Sequence, residues 1–123
     1  MRIQVLPFEL TIGRFKEGRS IPDLKKGSIF FSVTKTDEEV TVVCEPEYMP
    51  PGIETESGWS VLKLEGPLDF HLTGVLSEIL IPLAEHRISV YTISTYSTDY
   101  VLVKGKKLSQ AIQVLSVNHE IVS

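Results

Sequence analysis

Residues 66–105 constrain the fold of this chain more than any other stretch, and they read GPLDFHLTGVLSEILIPLAEHRISVYTISTYSTDYVLVKG. Residues 88–94 and 100–103 are rich in β-branched and aromatic side chains and flank a polar turn, which predicts two antiparallel strands. Residues 58–64 predict another strand upstream. Between them, apolar side chains at helical spacing predict an amphipathic helix: Leu72, Val75, Leu76, Ile79, Leu80 and Leu83. A strand, a helix and a strand pair in this order form the centre of a βαββαβ unit.

The end of the chain completes that unit. Leu108, Ala111, Ile112 and Leu115 repeat the helical spacing and predict a second helix, and residues 119–122 predict a closing strand. The first helix can be capped by the side chain of Thr73 or Asp69, and Pro82 is expected to bend or loosen its last turn. Residues 58–123 therefore read as a complete β-α-β-β-α-β succession.

The N-terminal half reads as a shorter version of the same pattern. Apolar residues alternate with polar ones up to Ile12 and predict a strand, which Pro7 is expected to bend or to place at an edge. Residues 21–24 can start a single helical turn. Residues 28–45 predict a β-hairpin with a polar turn at residues 36–39, and this hairpin lies about 60 residues before the hairpin of the second half. The similar layouts indicate an internal repeat.

Charge and composition exclude several classes of protein. The formal net charge is −4 and no basic stripe is present, which argues against binding to nucleic acid. No apolar run approaches the roughly 18 residues of a membrane span, and the N-terminus does not resemble a signal peptide. A single cysteine, Cys44, excludes an internal disulfide and fits a reducing compartment. We therefore expect a cytoplasmic protein in which Cys44 is a buried structural thiol.

The sequence contains no pattern that indicates catalysis or a metal centre. The three histidines, His71, His86 and His119, lack the spacing of a zinc site, and no nucleotide-binding or nucleophile motif is present. His86 is expected near a helix C-terminus, where the helix dipole favours an imidazole. The acidic residues fall in a turn and in a proline-rich connection. We expect no enzyme, no metal and no cofactor, because a small enzyme would need an acid–base pair that is not recognisable.

Polar residues at the ends of elements are the remaining candidates for a functional site. Asp69 lies between a strand and a helix start, where free backbone N–H groups favour an anion. Thr95, Tyr96 and Asp99 lie in or beside the turn of the second hairpin. Such a site could bind a small zwitterion, with Asp99 accepting an α-ammonium group. The alternative is structural: Asp69 can be a helix cap, and Asp99 can belong to a simple polar turn.

The same stretch resembles the ACT-like domain proteins related to the animal cytosolic arginine sensors. The marks are P-L-D-F in the loop, T-G-V-L at the helix start, P-L-A-E near its end, and I-S-T-Y-S-T-D-Y-V-L-V. The hairpin FFSVTKTDEEVTVVCE also resembles small bacterial members. The resemblance implies an α+β, ferredoxin-like βαββαβ (ACT-like) fold in two tandem units. Residues 1–50 would form a degenerate unit, residues 51–57 a linker and residues 58–123 a complete unit.

The resemblance also implies a site and a mode of action. ACT domains bind small ligands, most often amino acids, and pair side by side, which implies a homodimer. The implied ligand-binding residues lie in the loop before the helix and in the hairpin turn: Asp69, Phe70, Leu72, Thr95, Tyr96 and Asp99. The sensors carry an acidic residue where this chain has Leu72, so arginine is not implied over a neutral or smaller amino acid. A regulatory module of this kind would signal through a partner protein, and a ligand-free interaction or assembly module is the alternative.

Overall fold

The computed structural model describes residues 1–16, 27–65 and 73–123, which contain seven strands and two α-helices. Short 3-10 turns at Pro46–Tyr48 and Gly105–Lys107 accompany them. The predicted helical turn at residues 21–24 falls outside the described residues. The strands and helices follow in chain order: β1 (Arg2–Lys16), β2 (Phe31–Lys35), β3 (Glu39–Cys44), β4 (Glu54–Leu64), α1 (Val75–Glu85), β5 (Val90–Ser94), β6 (Asp99–Lys104), α2 (Leu108–Leu115) and β7 (Glu120–Val122).

The chain divides into two compact units, which are named here for their content. The helical unit consists of Met1–Pro7 together with Trp59–Ser123, and the hairpin unit consists of Phe8–Gly58. Both boundaries fall on residues with special backbone properties. Pro7 has no N–H group to donate, and Gly58, inside β4, has a positive φ of 79°. A glycine with positive φ inside a strand is typical of a bulge that interrupts regular pairing.

The helical unit confirms the predicted β-α-β-β-α-β succession and adds a strand to it. Strand β4 pairs antiparallel with β6, and β6 pairs antiparallel with β5. The start of β1 lies between β7 and β4: it pairs parallel with β7, and the N–H of Glu65, just after β4, donates to the carbonyl of Arg2 at 2.9 Å. The order in this unit is therefore β7-β1-β4-β6-β5. The sequence did not predict that N-terminal residues complete a unit formed by the C-terminal half.

Both helices of the helical unit pack on one face of its strands. Each buried Leu, Ile or Val side chain in this core contributes about 1.5–3 kcal/mol relative to an exposed one. The periodicity that predicted the two helices therefore also predicted the residues that they bury. The buried residues of this core come from β1, β4, β6, the two helices and the segment after α1: Ile3, Leu62, Leu64, Ile79, Leu83, Ile88, Val101, Val103, Ala111 and Leu115.

The hairpin unit confirms the predicted hairpin and the turn at residues 36–39. Strand β3 lies between β2 and the second half of β1, and both pairings are antiparallel. Its core is formed by Phe15, Val40, Val42 and Cys44. On β1, Gly13 lies against two side chains, because a Cβ atom there would lie 2.6 Å from Met49 Sδ and 2.8 Å from Ile53 Cδ1 and would make the ends of these side chains shift.

The turns of the two hairpins are built in the same way, 59 positions apart. In the first, the N–H of Thr36 donates to the carbonyl of Glu39 at 2.9 Å, and the Thr36 hydroxyl accepts from the N–H of Glu39 at 3.2 Å. In the second, the N–H of Thr95 donates to the carbonyl of Thr98 at 2.8 Å, and the Thr95 hydroxyl accepts from the N–H of Thr98 at 3.3 Å. The threonine side chain thus closes both turns.

Several predicted boundaries differ from those observed. Strand β1 continues through Pro7. Pro7 lies between the stretch that pairs with β7 and the stretch that pairs with β3, so its missing N–H group removes no hydrogen bond from either pairing. Strand β4 begins at Glu54, four residues earlier than predicted, and incorporates part of the expected connection. Helix α1 is capped by Gly74 in a left-handed conformation and not by Thr73. The other predicted cap, Asp69, falls outside the described residues. Pro82 lies inside α1, which continues to Glu85.

Candidate functional site in the second hairpin

The candidate site is the turn between β5 and β6. Three of the six predicted ligand residues, Thr95, Tyr96 and Asp99, lie here within five consecutive positions, brought together by the hairpin itself. Asp69, Phe70 and Leu72 fall outside the described residues, so their part in the site stays a prediction. The structure therefore provides the geometry of one side of the predicted site.

Asp99 is held by its cross-strand neighbour. It is partly buried at the start of β6 and pairs with Ser94, whose hydroxyl donates to Oδ1 of Asp99 at 2.5 Å. An ionised carboxylate has about four acceptor positions, so one hydroxyl leaves capacity for further donors. In the described part of the chain, no lysine or arginine forms an ion pair with Asp99. An ammonium-binding carboxylate would be oriented in this way, and none of the described basic side chains neutralises Asp99.

Thr95 and Tyr96 differ in what they can offer a ligand. The Thr95 hydroxyl also donates to the carbonyl of Thr98 at 3.2 Å, so this side chain is engaged within the turn. The side chain of Tyr96 is 84% exposed at the tip of the turn. An exposed aromatic ring beside a carboxylate can cover the apolar part of a small ligand, whereas Thr95 acts through the shape of the turn.

Two residues of this turn were not recognised from the sequence as site residues. Ser94 could have been found, because a two-residue turn at residues 96–97 places it directly opposite Asp99. Thr98 could not have been found by pattern. It is 7% exposed and its hydroxyl donates to the carbonyl of Leu64 at the end of β4, which is a contact across 34 positions of the chain.

The equivalent turn in the hairpin unit lacks this chemistry. Because Thr36 corresponds to Thr95, the position of Asp99 is occupied there by Val40, which is buried in the core of that unit. The position of Ser94 is occupied by Lys35. The first hairpin therefore has the same turn but neither the carboxylate nor the hydroxyl that orients it.

Other candidate groups have structural explanations. Cys44 is fully buried, as predicted, and burial, with smaller effects of Glu45 and Glu47, raises the pKa of its thiol to about 11. At neutral pH the thiol is therefore protonated and a poor nucleophile. His86 is the C-cap of α1, where its Nδ1 lies 2.9 Å from the carbonyl oxygen of Pro82. Across the described ranges, no group of three or more His, Cys, Asp or Glu side chains could hold a metal ion.

A groove of about 480 Å³ lies elsewhere on the helical unit, along α1. Its described lining includes Glu78, Ile81, Glu85 and Asn118 but not Thr95, Tyr96 or Asp99. Neither α1 nor α2, the two helices of the described residues, has the length and hydropathy of a membrane span.

Comparison with known proteins identifies the family. The family model of the ACT domain matches residues 54–117, and a second model, of an N-terminal domain, matches residues 9–51. The chain is 34% identical over 103 residues to the bovine protein named cytosolic arginine sensor for mTORC1 subunit 1, and 33% identical to the human one. These matches cover 75% of this chain, which spans 31% of the length of the relatives.

Solved structures agree with this assignment at the level of the fold. A crystal structure of a protein from Agrobacterium tumefaciens superposes with a TM-score of 0.89 at 29% identity, covering 98% of this chain and 91% of the other. An aspartate kinase from Clostridium acetobutylicum has a TM-score of 0.65 at 12% identity and covers 87% of this chain and 32% of its own. The order of strands and helices, the extent of the family match and these structural neighbours together show that the chain belongs to the ACT domain family, with its ferredoxin-like fold.

Proposed function

We propose that this chain is a non-catalytic regulatory module that binds a free amino acid and passes the signal to a partner protein. The observation that carries the proposal is Asp99, a partly buried carboxylate that Ser94 orients and no described basic residue neutralises. An amino acid supplies the matching α-ammonium group, and charge-assisted hydrogen bonds to a carboxylate are among the stronger ones. The names of the curated relatives, which describe sensors of arginine, support the same class of ligand.

The regulatory part of the proposal follows from how a binding module can act. A ligand shifts an equilibrium between two states only by its difference in affinity for them. Binding of the ligand at the turn would therefore favour one arrangement of the surface that a partner protein recognises. The partner and the cytoplasmic location expected from the sequence both stay predictions.

Thermal unfolding in the presence of each of the twenty amino acids tests the proposal. A ligand at about 100 times its Kd stabilises the folded state by about 2.7 kcal/mol, which raises the melting temperature measurably. We expect one amino acid, or a small group of related ones, to give such a shift in the wild-type protein. We also expect Asp99→Asn to abolish the shift, because the amide keeps the shape of the side chain but removes the charge.

The first hairpin offers a matched control. Asp37 is an exposed acid in the equivalent turn, so Asp37→Asn removes the same charge from the other hairpin and is expected to leave the shift intact. The deaminated analogue of the active amino acid, which lacks the ammonium group, should give no shift. A response that survives in Asp99→Asn would contradict the assigned role of Asp99, and no response to any amino acid would contradict the proposed ligand class.

One observation favours a second function, that of an assembly module. Strand β5 ends the strand order of the helical unit, so its outer edge has no strand partner among the described residues. Its sequence, VYTIS, has neither a proline nor a charged side chain to discourage pairing. A second copy or a partner strand could add to this edge, which would give the homodimer that the family resemblance implies. A concentration-dependent mass without any amino-acid response would favour this function.

A further inference from the structure

The buried hydroxyl of Thr98 has a role that the shape of the turn does not explain. We propose that Thr98 is a positioning residue, which fixes the turn on β4 and so presets the direction of the Asp99 carboxylate. This inference rests on the proposed function and deepens it. Thr98 does not contact the ligand in this scheme but acts through its neighbour in the chain.

The first hairpin shows that the turn itself does not need a threonine at this position. Glu39 occupies the equivalent position and makes the same backbone contacts, accepting from the N–H of Thr36 and donating to its hydroxyl. In both turns, the threonine at the first position, Thr36 or Thr95, therefore closes the turn without help from the side chain at the fourth position. The side chain of Thr98 is free for another contact, and it makes one with Leu64.

The contact with Leu64 continues the pairing of β4 and β6. Regular pairing of these strands ends at Lys63 and Tyr100. Beyond that point the Thr98 hydroxyl donates to the carbonyl of Leu64. Because Leu64 is fully buried in the core of the helical unit, this hydrogen bond anchors the turn to a rigid position.

Asp99 lies between two fixed points as a result. Its own side chain is held by Ser94, and the preceding residue is held by Leu64. A group that is already in the binding geometry loses less conformational freedom when the ligand arrives, which improves affinity. Without the hydrogen bond from Thr98, Asp99 would still lie at the start of β6, but its carboxylate would not be held in a single direction.

Substitution of Thr98 tests this role. Thr98→Val keeps the shape of the side chain but removes the donor, whereas Thr98→Ser keeps the donor. The titrant is the amino acid that shifts the wild-type transition in the twenty-member panel, and Kd is measured by calorimetry at a temperature where every variant is folded. We expect Thr98→Val to raise Kd about tenfold, the order of the cost of fixing one mobile side chain on binding, and Thr98→Ser to stay near wild type.

Two controls separate positioning from stability. Thr92→Val makes the same change at an exposed position of β5 and should not alter Kd. Leu115→Ala destabilises the core of the helical unit from helix α2 and should lower the melting temperature without altering Kd. If Thr98→Val does not fold, the same criterion applies to Thr98→Ala compared with Thr98→Ser.

The outcomes distinguish this inference from the function on which it rests. If the wild-type protein binds an amino acid and Thr98→Val binds it within about twofold as well, the positioning role is wrong and the proposed function stands. If Leu115→Ala weakens binding as much as Thr98→Val does, the effect is general destabilisation and the positioning role is again wrong. If the wild-type protein binds none of the twenty, the proposed function fails and the positioning role fails with it.

Discussion

At the scale of single residues, Glu45 shows how a buried carboxylate can hold a strand in place. It lies directly after β3, is 6% exposed, and accepts from the Ser28 hydroxyl at 2.8 Å and from the N–H groups of Ile29 and Phe30 at 2.8 and 3.2 Å. Burial by itself raises the pKa of this carboxyl, but the donors outweigh burial, so the pKa of Glu45 is lowered. The segment that leads into β2 is therefore tied to the end of β3 by an ionised group.

Glu45→Gln tests this clamp through its pH dependence. Hydrogen bonds to a charged group are worth about 1.5–3 kcal/mol, so we expect a loss of that order in the free energy of unfolding at neutral pH. Because the folded pKa is lowered, the wild-type advantage is fully present above the unfolded pKa of about 4.3 and is lost as pH falls through the folded pKa. Urea unfolding of both proteins between about pH 7 and pH 3 measures the difference.

The exposed Glu38 in the turn before β3 provides the matched control, since Glu38→Gln is expected to change stability little at any pH. A difference between wild type and Glu45→Gln that stays constant from neutral to acidic pH would show that the charge of Glu45 does not stabilise the fold.

At the scale of elements, the end of α1 carries backbone strain at one residue. Arg87 has a positive φ of 58°, and the N–H groups of Arg87 and Ile88 donate to the carbonyls of Ala84 and Leu83 at 3.0 and 2.9 Å. These two hydrogen bonds and the packing of Ile88 in the core beside Leu83 define a Schellman motif. The motif places a left-handed residue at the position where glycine is most often found.

Arg87→Gly should therefore stabilise the protein. A side chain in the left-handed region costs about 1–2 kcal/mol, and glycine removes this strain. Because glycine also makes the unfolded chain more flexible, part of the gain is offset, and we expect the free energy of unfolding to rise by about 1 kcal/mol. Thermal unfolding measures it. Arg87→Ala removes the charge but keeps the Cβ, and should resemble wild type. Equal stabilities of the glycine and alanine variants would show that φ at this position carries no strain.

At the scale of the whole molecule, the helical unit depends on residues that lie far away in sequence. Ile3 is fully buried in its core, next to residues of β4 and of both helices. Ile3→Ala should lower the free energy of unfolding by about 2–5 kcal/mol, as truncations in a packed core do. The single tryptophan, Trp59, belongs to the same unit and provides the fluorescence signal for urea unfolding.

The exposed Arg2 on the same strand is the control, and Arg2→Ala should change stability by no more than about 0.5 kcal/mol. If Ile3→Ala and Arg2→Ala unfold alike, the N-terminal strand does not contribute to this core.

A feature of this fold could be predicted from the sequence when it depends on residues that lie close together in the chain. The helix that begins at Leu108 was predictable because its apolar face repeats over a few residues, and the hairpin turns were predictable from their polar residues. The place of β1 between β4 and β7 was not, because no local pattern encodes which distant strand becomes a neighbour. In the candidate site, Asp99 was predicted from its place at the end of an element and from the motif of the resemblance. Thr98 was not predicted, because its role depends on a contact across the sheet that no local pattern shows.

The parallel pairing of β1 with β7 also bears on how the chain folds. Arg2 pairs with Glu120, so this ladder forms only when nearly the entire chain has been brought into a closed loop. Closing such a loop lowers the conformational entropy of the chain before the contacts that stabilise the ladder can form. Chains rich in distant contacts therefore fold slowly. During synthesis, β1 leaves the ribosome well before β7, so this ladder has to wait until β7 has been made. Until then, the segment of β1 that includes Ile3 lacks one of its two strand neighbours, and the sheet of the helical unit is incomplete at that edge.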